Sequence, residues 1–192
     1  VLENVSVPVF AAGGFRDGYG LAAAKAWGAQ GIAMGTRFMM TQESPVPENT
    51  KDAYLQAGID EISVTKKFDG LPHRLIFNKY IQNIDKSNPL KLFFISLKSA
   101  WKYKQISQAS FGDIVKSFFA MLRGDDLSIS QTIMAANSPA VIQKAMVEGN
   151  PDQGAMPSGQ VAGIIKEIPS CENLVKEIIE QYHKASENLK TL

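Results

Sequence analysis

The chain has 192 residues, of which 45% are hydrophobic and 20% charged, and its formal net charge is +1. This length suits one domain, or one domain and part of another. The near-neutral charge argues against a nucleic-acid surface, which needs a basic excess on one face. The single cysteine excludes an internal disulfide and fits a reducing, cytoplasmic compartment, and no apolar run approaches the roughly 20 residues of a membrane span.

A β-α-β unit is the first structure that the chain predicts. Residues 5–12 are apolar almost throughout, which is typical of a strand buried on both faces in a parallel sheet. Asp17 is placed to cap a helix over residues 18–27, Gly28 suits the position after its end, and residues 31–34 form a second apolar strand. This order predicts two neighbouring parallel strands joined by a crossover helix.

Glycines follow both predicted strands, as Gly13-Gly14 and as Gly35-Thr36. Parallel strands that end in glycine present backbone N–H groups at one edge of a sheet, and such groups hold a phosphate without a charged side chain. Thr36 adds a hydroxyl, and Arg37 is placed to pair with the phosphate or with a carboxylate such as Glu43. We therefore predict the phosphate end of a bound cofactor here. The alternative is that the glycines only turn the chain.

Helices dominate the rest of the prediction. Its elements are a short helix from a Thr50 cap to residue 55, a strand over 61–67, a turn over 69–72, helices over 75–81, 90–103 and 113–122, a helix that starts with Ser138 and Pro139, and a final amphipathic helix capped by Ser170. Two strands and one helix cannot close a parallel barrel, so a barrel needs earlier strands. Because the first residue is Val1 and a strand follows almost at once, we expect a longer polypeptide; trimming of a short leader is the alternative.

An ordered set of short motifs resembles a known family. The first six are Ala11-Ala12-Gly13-Gly14, Asp17-Gly18, Leu21-Ala22-Ala23-Ala24, Gly28-Ala29-Gln30-Gly31, Met34-Gly35-Thr36-Arg37-Phe38 and Thr41-Gln42-Glu43-Ser44. Together they resemble the FMN-binding TIM barrels of the nitronate monooxygenase family, and the flavin-dependent enoyl-ACP reductases look similar. Three later segments also resemble the family: residues 68–74, 149–154 and 158–163.

The resemblance implies an α/β fold: the C-terminal part of a (β/α)8 TIM barrel, with its last two strands, followed by a mostly helical C-terminal region. Residues 1–45 would be the last β/α units of the FMN-binding barrel. Residues 46–148 would form a mostly helical accessory region. Residues 149–192 would be a C-terminal segment and helix that return to the barrel. The phosphate site of such barrels lies on the loops after the seventh and eighth strands, which is where the glycines stand.

The cofactor that the resemblance implies is FMN. The residues expected to bind it are Gly13, Gly14, Gly35, Thr36, Arg37 and Gln160. For the Gly159-Gln160 segment, a simple turn before the last helix is an equal alternative. No metal site is expected.

The implied activity is FMN-dependent oxidation of nitronates with O2, giving a carbonyl compound and nitrite. One alternative is NAD(P)H- and FMN-dependent enoyl-ACP reduction; another, of a different class, is a non-catalytic phosphate-ligand module or a subunit completed by a partner chain. The expected partners are a small-molecule substrate and the preceding part of the same protein, with a homo-oligomer left open, and neither nucleic acid nor membrane.

The general base is missing from this prediction. The family's base is a histidine in a His-Arg-Gly-like stretch, and neither His73 nor His183 stands in such a stretch. We therefore assign no catalytic residue and expect the base before Val1. Cys171 lies at a predicted helix start, where a thiolate is favoured, but a role as nucleophile is not assigned.

Overall fold

The computed structural model describes residues 1–87 and 129–190, and the chain divides into two compact units. One unit combines residues 1–45 with residues 159–192, and the other comprises residues 46–158. The predicted helices over 90–103 and 113–122 lie outside the described residues. The predicted three-part division stays a prediction.

The first unit contains the expected β-α-β arrangement. Strand β1 (Phe10–Ala12) pairs in parallel with β2 (Gly31–Ala33), and helix α1 (Gly18–Ala26) connects them. The Asp17 side chain accepts from the Gly20 N–H at 2.9 Å, which caps α1 as predicted. Gly28 follows the helix with a φ of +99°, a left-handed conformation that glycine adopts without strain.

The final helix of the first unit packs along α1. A four-residue helix α2 (Thr36–Met39), a 3-10 helix (Gln160–Ile164) and a long helix α6 (Cys171–Lys190) complete this unit. Ser170 caps α6 as predicted, since its Oγ accepts from the Asn173 N–H at 3.2 Å. Ala22 and Ala24 of α1 and Leu174 and Ile178 of α6 are buried.

Strand β1 differs from its prediction in length and burial. Only three residues are strand, a 3-10 helix covers Leu2–Asn4, and the side chains of Val5, Val7 and Phe10 are exposed. The predicted burial on both faces is therefore wrong for this chain. Among the described residues, β2 is the one strand that pairs with β1.

The second unit is built on a hairpin rather than on helices alone. Helix α3 (Glu48–Gln56) precedes strands β3 (Ile62–Thr65) and β4 (His73–Ile76), which pair antiparallel, and helices α4 (Lys79–Asp85) and α5 (Ile129–Met146) follow. Its core cluster consists of Phe68, Leu75, Ile81, Ile84 and Ala155.

Three local predictions in the second unit are wrong. The helix expected over residues 75–81 is strand β4 up to Ile76, because Ile76 and Leu75 pair with Ile62 and Ser63 of β3. Thr50 does not cap α3, which begins at Glu48; its hydroxyl donates to the Ala145 carbonyl at 2.7 Å instead.

The third concerns Pro139, which lies inside α5 instead of at a helix start. A proline in a helix leaves the carbonyl four residues earlier without its donor. Here that carbonyl belongs to Ala135, and it accepts from the Ser138 Oγ at 2.9 Å. This bond explains how the helix tolerates the proline.

Within the described ranges 1–87 and 129–190, no helix combines the length and the apolar composition that crossing a membrane requires.

Candidate functional site

The two strand ends of the first unit carry a cluster that we call the glycine rim: Gly13, Gly14, Gly35 and Thr36. The parallel register pairs Ala12 with Ala33, so both strands end at the same edge of the sheet. Gly13 and Gly14 have φ values of +93° and +82°, in the left-handed region that side chains disfavour. Gly35 has an ordinary φ of −86°.

The glycine rim is open on the side where side chains would project. A Cβ built on Gly13, Gly14 or Gly35 meets no atom within 4 Å. Among the hydrogen bonds of the described residues, none uses the backbone N–H groups of the rim. The rim therefore combines free donors with open space beside the main chain, the two conditions for close approach of an anion.

Thr36 joins the glycine rim to a segment more than a hundred residues later. The Gly159 N–H donates to the Thr36 Oγ1 at 2.8 Å. This bond holds the start of the 3-10 helix against the rim, and the next residue, Gln160, is exposed. The structure thereby brings the predicted residue Gln160 to the neighbourhood of the predicted glycines.

Arg37, which follows the rim residue Thr36, is buried, with 6% of its surface exposed. Its Nη2 lies 2.9 Å from the Glu167 Oε1, and its Nη1 donates to the Glu167 carbonyl at 3.5 Å. Of the two roles expected for Arg37, pairing with a carboxylate is the one observed, and the partner is Glu167. Glu43, the carboxylate named from the sequence, accepts from the Cys171 N–H with both oxygens at 2.9 Å.

Sequence reasoning missed the pair formed by Arg37 and Glu167. These residues stand 130 positions apart, and no local pattern links them. They also line a small cavity of about 150 Å³ together with charged and polar side chains of the same unit. Those side chains are Arg16, Asp17, Lys166, Glu177 and Gln181.

The two histidines lie away from the glycine rim in sequence and differ in surroundings. His73, on β4, has its Nε2 2.8 Å from the Asp69 Oδ2, and its ring meets the edge of Phe68. His183, on α6, is exposed and contacts the Tyr182 ring. Neither is assigned a catalytic role. No group of three or more potential metal ligands occurs within the described part of the chain.

Residues 1–181 match the protein-family model described as nitronate monooxygenase. Among curated proteins, the chain is 42% identical over 178 residues to the (3aS,4S,5R,7aS)-5-hydroxy-7a-methyl-1-oxo-octahydro-1H-indene-4-carboxyl-CoA dehydrogenase of Mycobacterium tuberculosis, covering 93% of the chain and 50% of that protein. It is 39% identical over 84 residues to a probable nitronate monooxygenase of Staphylococcus haemolyticus, covering 44% of the chain and 24% of that protein.

Solved structures confirm the fold class. FabK from Thermotoga maritima matches with a TM-score of 0.66 and 28% identity, over 100% of this chain and 49% of that one. A nitroalkane oxidase from Streptomyces ansochromogenes matches with a TM-score of 0.62 and 22% identity, over 97% of this chain and 42% of that one. These neighbours are TIM barrels, so the chain has a partial α/β-barrel fold, as predicted. It spans about half the length of the relatives that it matches over most of its residues.

Proposed function

Because the chain belongs to the nitronate monooxygenase family, we propose that it forms part of an FMN-dependent oxidoreductase whose cofactor phosphate binds at the glycine rim. Proteins of this family act as oxidoreductases.

The observation that carries the proposal is the open cradle at the rim. Gly13, Gly14 and Gly35 leave empty the space that a Cβ would fill, and their N–H groups face no protein acceptor among the described residues. Backbone N–H groups in such an arrangement bind phosphate groups. The residues present therefore fit the phosphate of FMN without a cationic side chain, which agrees with the pairing of Arg37 to Glu167.

The chain's own residues would bind and orient the cofactor. When bound, FMN supplies reversible two-electron chemistry at its ring system. The rim amides hold the anionic tail, the Thr36 hydroxyl adds a donor, and the exposed Gln160 amide has donors for a ring carbonyl or a substrate oxygen. The general base would come from residues outside this chain.

Two substrate classes are supported by different observations. A nitronate, oxidised with O2 to a carbonyl compound and nitrite, is supported by the family description and by the staphylococcal relative. A carboxyl-CoA thioester is supported by the dehydrogenases of M. tuberculosis and Rhodococcus jostii, which are 42% and 40% identical over 93% and 100% of the chain. The greater coverage favours the thioester.

Three assays on the full-length protein separate the activities. Nitrite release from propyl-2-nitronate supports nitronate oxidation. Reduction of the protein-bound flavin by a hydroxylated cyclic carboxyl-CoA thioester supports dehydrogenation. Oxidation of NADH in the presence of an enoyl thioester supports the reductase alternative. A purified protein without visible flavin absorbance contradicts all three and favours a non-catalytic module.

Substitution at the rim tests the phosphate site itself. Gly35→Leu should abolish flavin content, because the side chain fills the cradle. Gly58→Leu is the matched control: Gly58 has a similar φ of −84°, and a Cβ there meets only the Glu61 Oε2 at 3.9 Å. We expect this control to keep its flavin. Equal flavin absorbance in both purified variants would contradict the proposed site.

The proposed partners of this chain are a small-molecule substrate and further residues of the same polypeptide that complete the barrel, with a homo-oligomer as an open alternative. The coverage of about half of its relatives and the exposed Val5, Val7 and Phe10 support the completed barrel. A cytoplasmic location stays a prediction.

A further inference from the structure

The hydrogen bond between Gly159 and Thr36 has a chemical consequence for the glycine rim. A threonine hydroxyl has one hydrogen to donate and two lone pairs to accept with. The Thr36 Oγ1 accepts a hydrogen bond from the Gly159 N–H at 2.8 Å, which uses one of these lone pairs. Among the described residues, no acceptor takes the hydroxyl hydrogen of Thr36, so that hydrogen stays available to a ligand.

The same contact explains why residue 159 is a glycine. A Cβ added at Gly159 would stand 2.9 Å from the Thr36 Oγ1 and 3.6 Å from its Cβ. Gly159 has a φ of −79° and a ψ of 161°, which any residue adopts, so backbone strain does not require glycine here. Instead, the close approach to Thr36 requires a glycine at this position.

We propose, on the basis of the proposed function, that Gly159 is a positioning residue for the phosphate site. Its N–H fixes the Thr36 hydroxyl so that the O–H group donates to the phosphate at the rim. Gly159 acts through Thr36 and does not itself touch the ligand. The segment that carries Gln160 is thereby coupled to phosphate binding.

The test compares FMN with riboflavin, which has the same ring system but no phosphate. In the full-length protein freed of flavin, Thr36→Val and Gly159→Ala should each weaken FMN binding about tenfold, the usual effect of losing a hydrogen bond to a charged group. Both should leave riboflavin binding unchanged within about twofold, because only the phosphate contact is lost. Thr36→Ser keeps the hydroxyl and should bind FMN like the wild type.

The double variant distinguishes positioning from general damage. If Gly159 acts through Thr36, the variant that combines Thr36→Val with Gly159→Ala binds FMN no more weakly than Thr36→Val alone. Additive losses, or an equal loss for riboflavin, overturn the proposal. Unchanged FMN affinity in Thr36→Val also overturns the proposal. This variant leaves Gly159 intact, so the test can be made even if Gly159→Ala does not fold.

Flavin binding by the wild-type protein separates failure of the inference from failure of the proposed function. A wild-type protein that binds FMN tightly while these variants bind it equally well overturns the inference alone. A wild-type protein that binds neither flavin overturns the proposed function and the inference with it. Gly58→Ala is the control for replacing a glycine by alanine, because the added Cβ would meet only the Glu61 Oε2, at 3.9 Å.

Discussion

Tyr80 carries a hydroxyl group that has no hydrogen-bond partner among the described residues. Its ring packs against the core cluster of the second unit. Burial raises the pKa of Tyr80 from 10.0 to about 12, because the charged phenolate loses its hydration. A buried polar group without a partner costs free energy of folding, about 1–3 kcal/mol. The hydroxyl of Tyr80 therefore lowers stability at neutral pH, although its ring packs against the core.

Tyr80→Phe should raise the free energy of unfolding by about 1 kcal/mol at pH 7, because it removes the unsatisfied hydroxyl. The folded-state pKa is raised, so the unfolded state releases its proton first as the pH increases. The wild type therefore loses stability relative to the variant as the pH rises from about 10 to about 12. Urea unfolding at several pH values measures this.

Tyr19→Phe is the control for this experiment, since Tyr19 is 48% exposed. We expect it to change the free energy of unfolding by less than about 0.5 kcal/mol. A Tyr80→Phe variant less stable than the wild type at pH 7 would show that the hydroxyl has a partner in solution.

The packing of α1 against α6 depends on the absence of a side chain at Gly18. A Cβ there would lie 2.1 Å from the Ile178 carbonyl oxygen and 2.5 Å from the Tyr182 nitrogen. The Gly18 N–H also donates to the Gln181 Oε1 at 2.9 Å. Because the neighbouring atoms belong mainly to the backbone of α6, rotating a side chain cannot relieve the contact.

Gly18→Ala should lower the free energy of unfolding by about 3 kcal/mol or more, at the upper end of the usual cost of overpacking. Gly20→Ala in the same helix is the matched comparison. Its Cβ would meet the Phe15 Cδ1 at 3.0 Å, a side-chain ring atom that can shift, while alanine gains up to about 1 kcal/mol of helix propensity. Thermal unfolding of both variants measures the difference, and equal midpoints would contradict this view of the interface.

Across the whole molecule, the sequence predicted those features that local chemistry determines. Asp17, Gly28 and Ser170 mark helix ends through contacts within a few residues, and each does so in the structure. The parallel pairing of β1 and β2 follows from one short repeat of the chain. The placement of the glycines at one edge of the sheet was therefore predictable.

Features that depend on distant residues were not predictable. Leu75 belongs to a strand because Ser63 of β3 pairs with it, and a window around Leu75 does not contain that pairing. Likewise, the bond between Thr36 and Gly159 joins residues 123 positions apart. The resemblance placed Gln160 in the site, but only the fold supplies the contact that brings its segment to the rim.

The proposed completion of the barrel predicts different effects for two equally exposed valines. Val7, beside β1, and Val147, in the second unit, are both 66% exposed in this chain. If further residues of the polypeptide cover β1, Val7→Ala in the full-length protein removes buried methyl groups and should cost about 1–3 kcal/mol, whereas Val147→Ala should stay within about 0.5 kcal/mol. Denaturant unfolding of the two full-length variants measures both free energies of unfolding. The comparison is matched because the two valines are equally exposed in this chain. Equal small effects would mean that Val7 stays exposed to solvent in the whole protein, which would contradict this covering of β1.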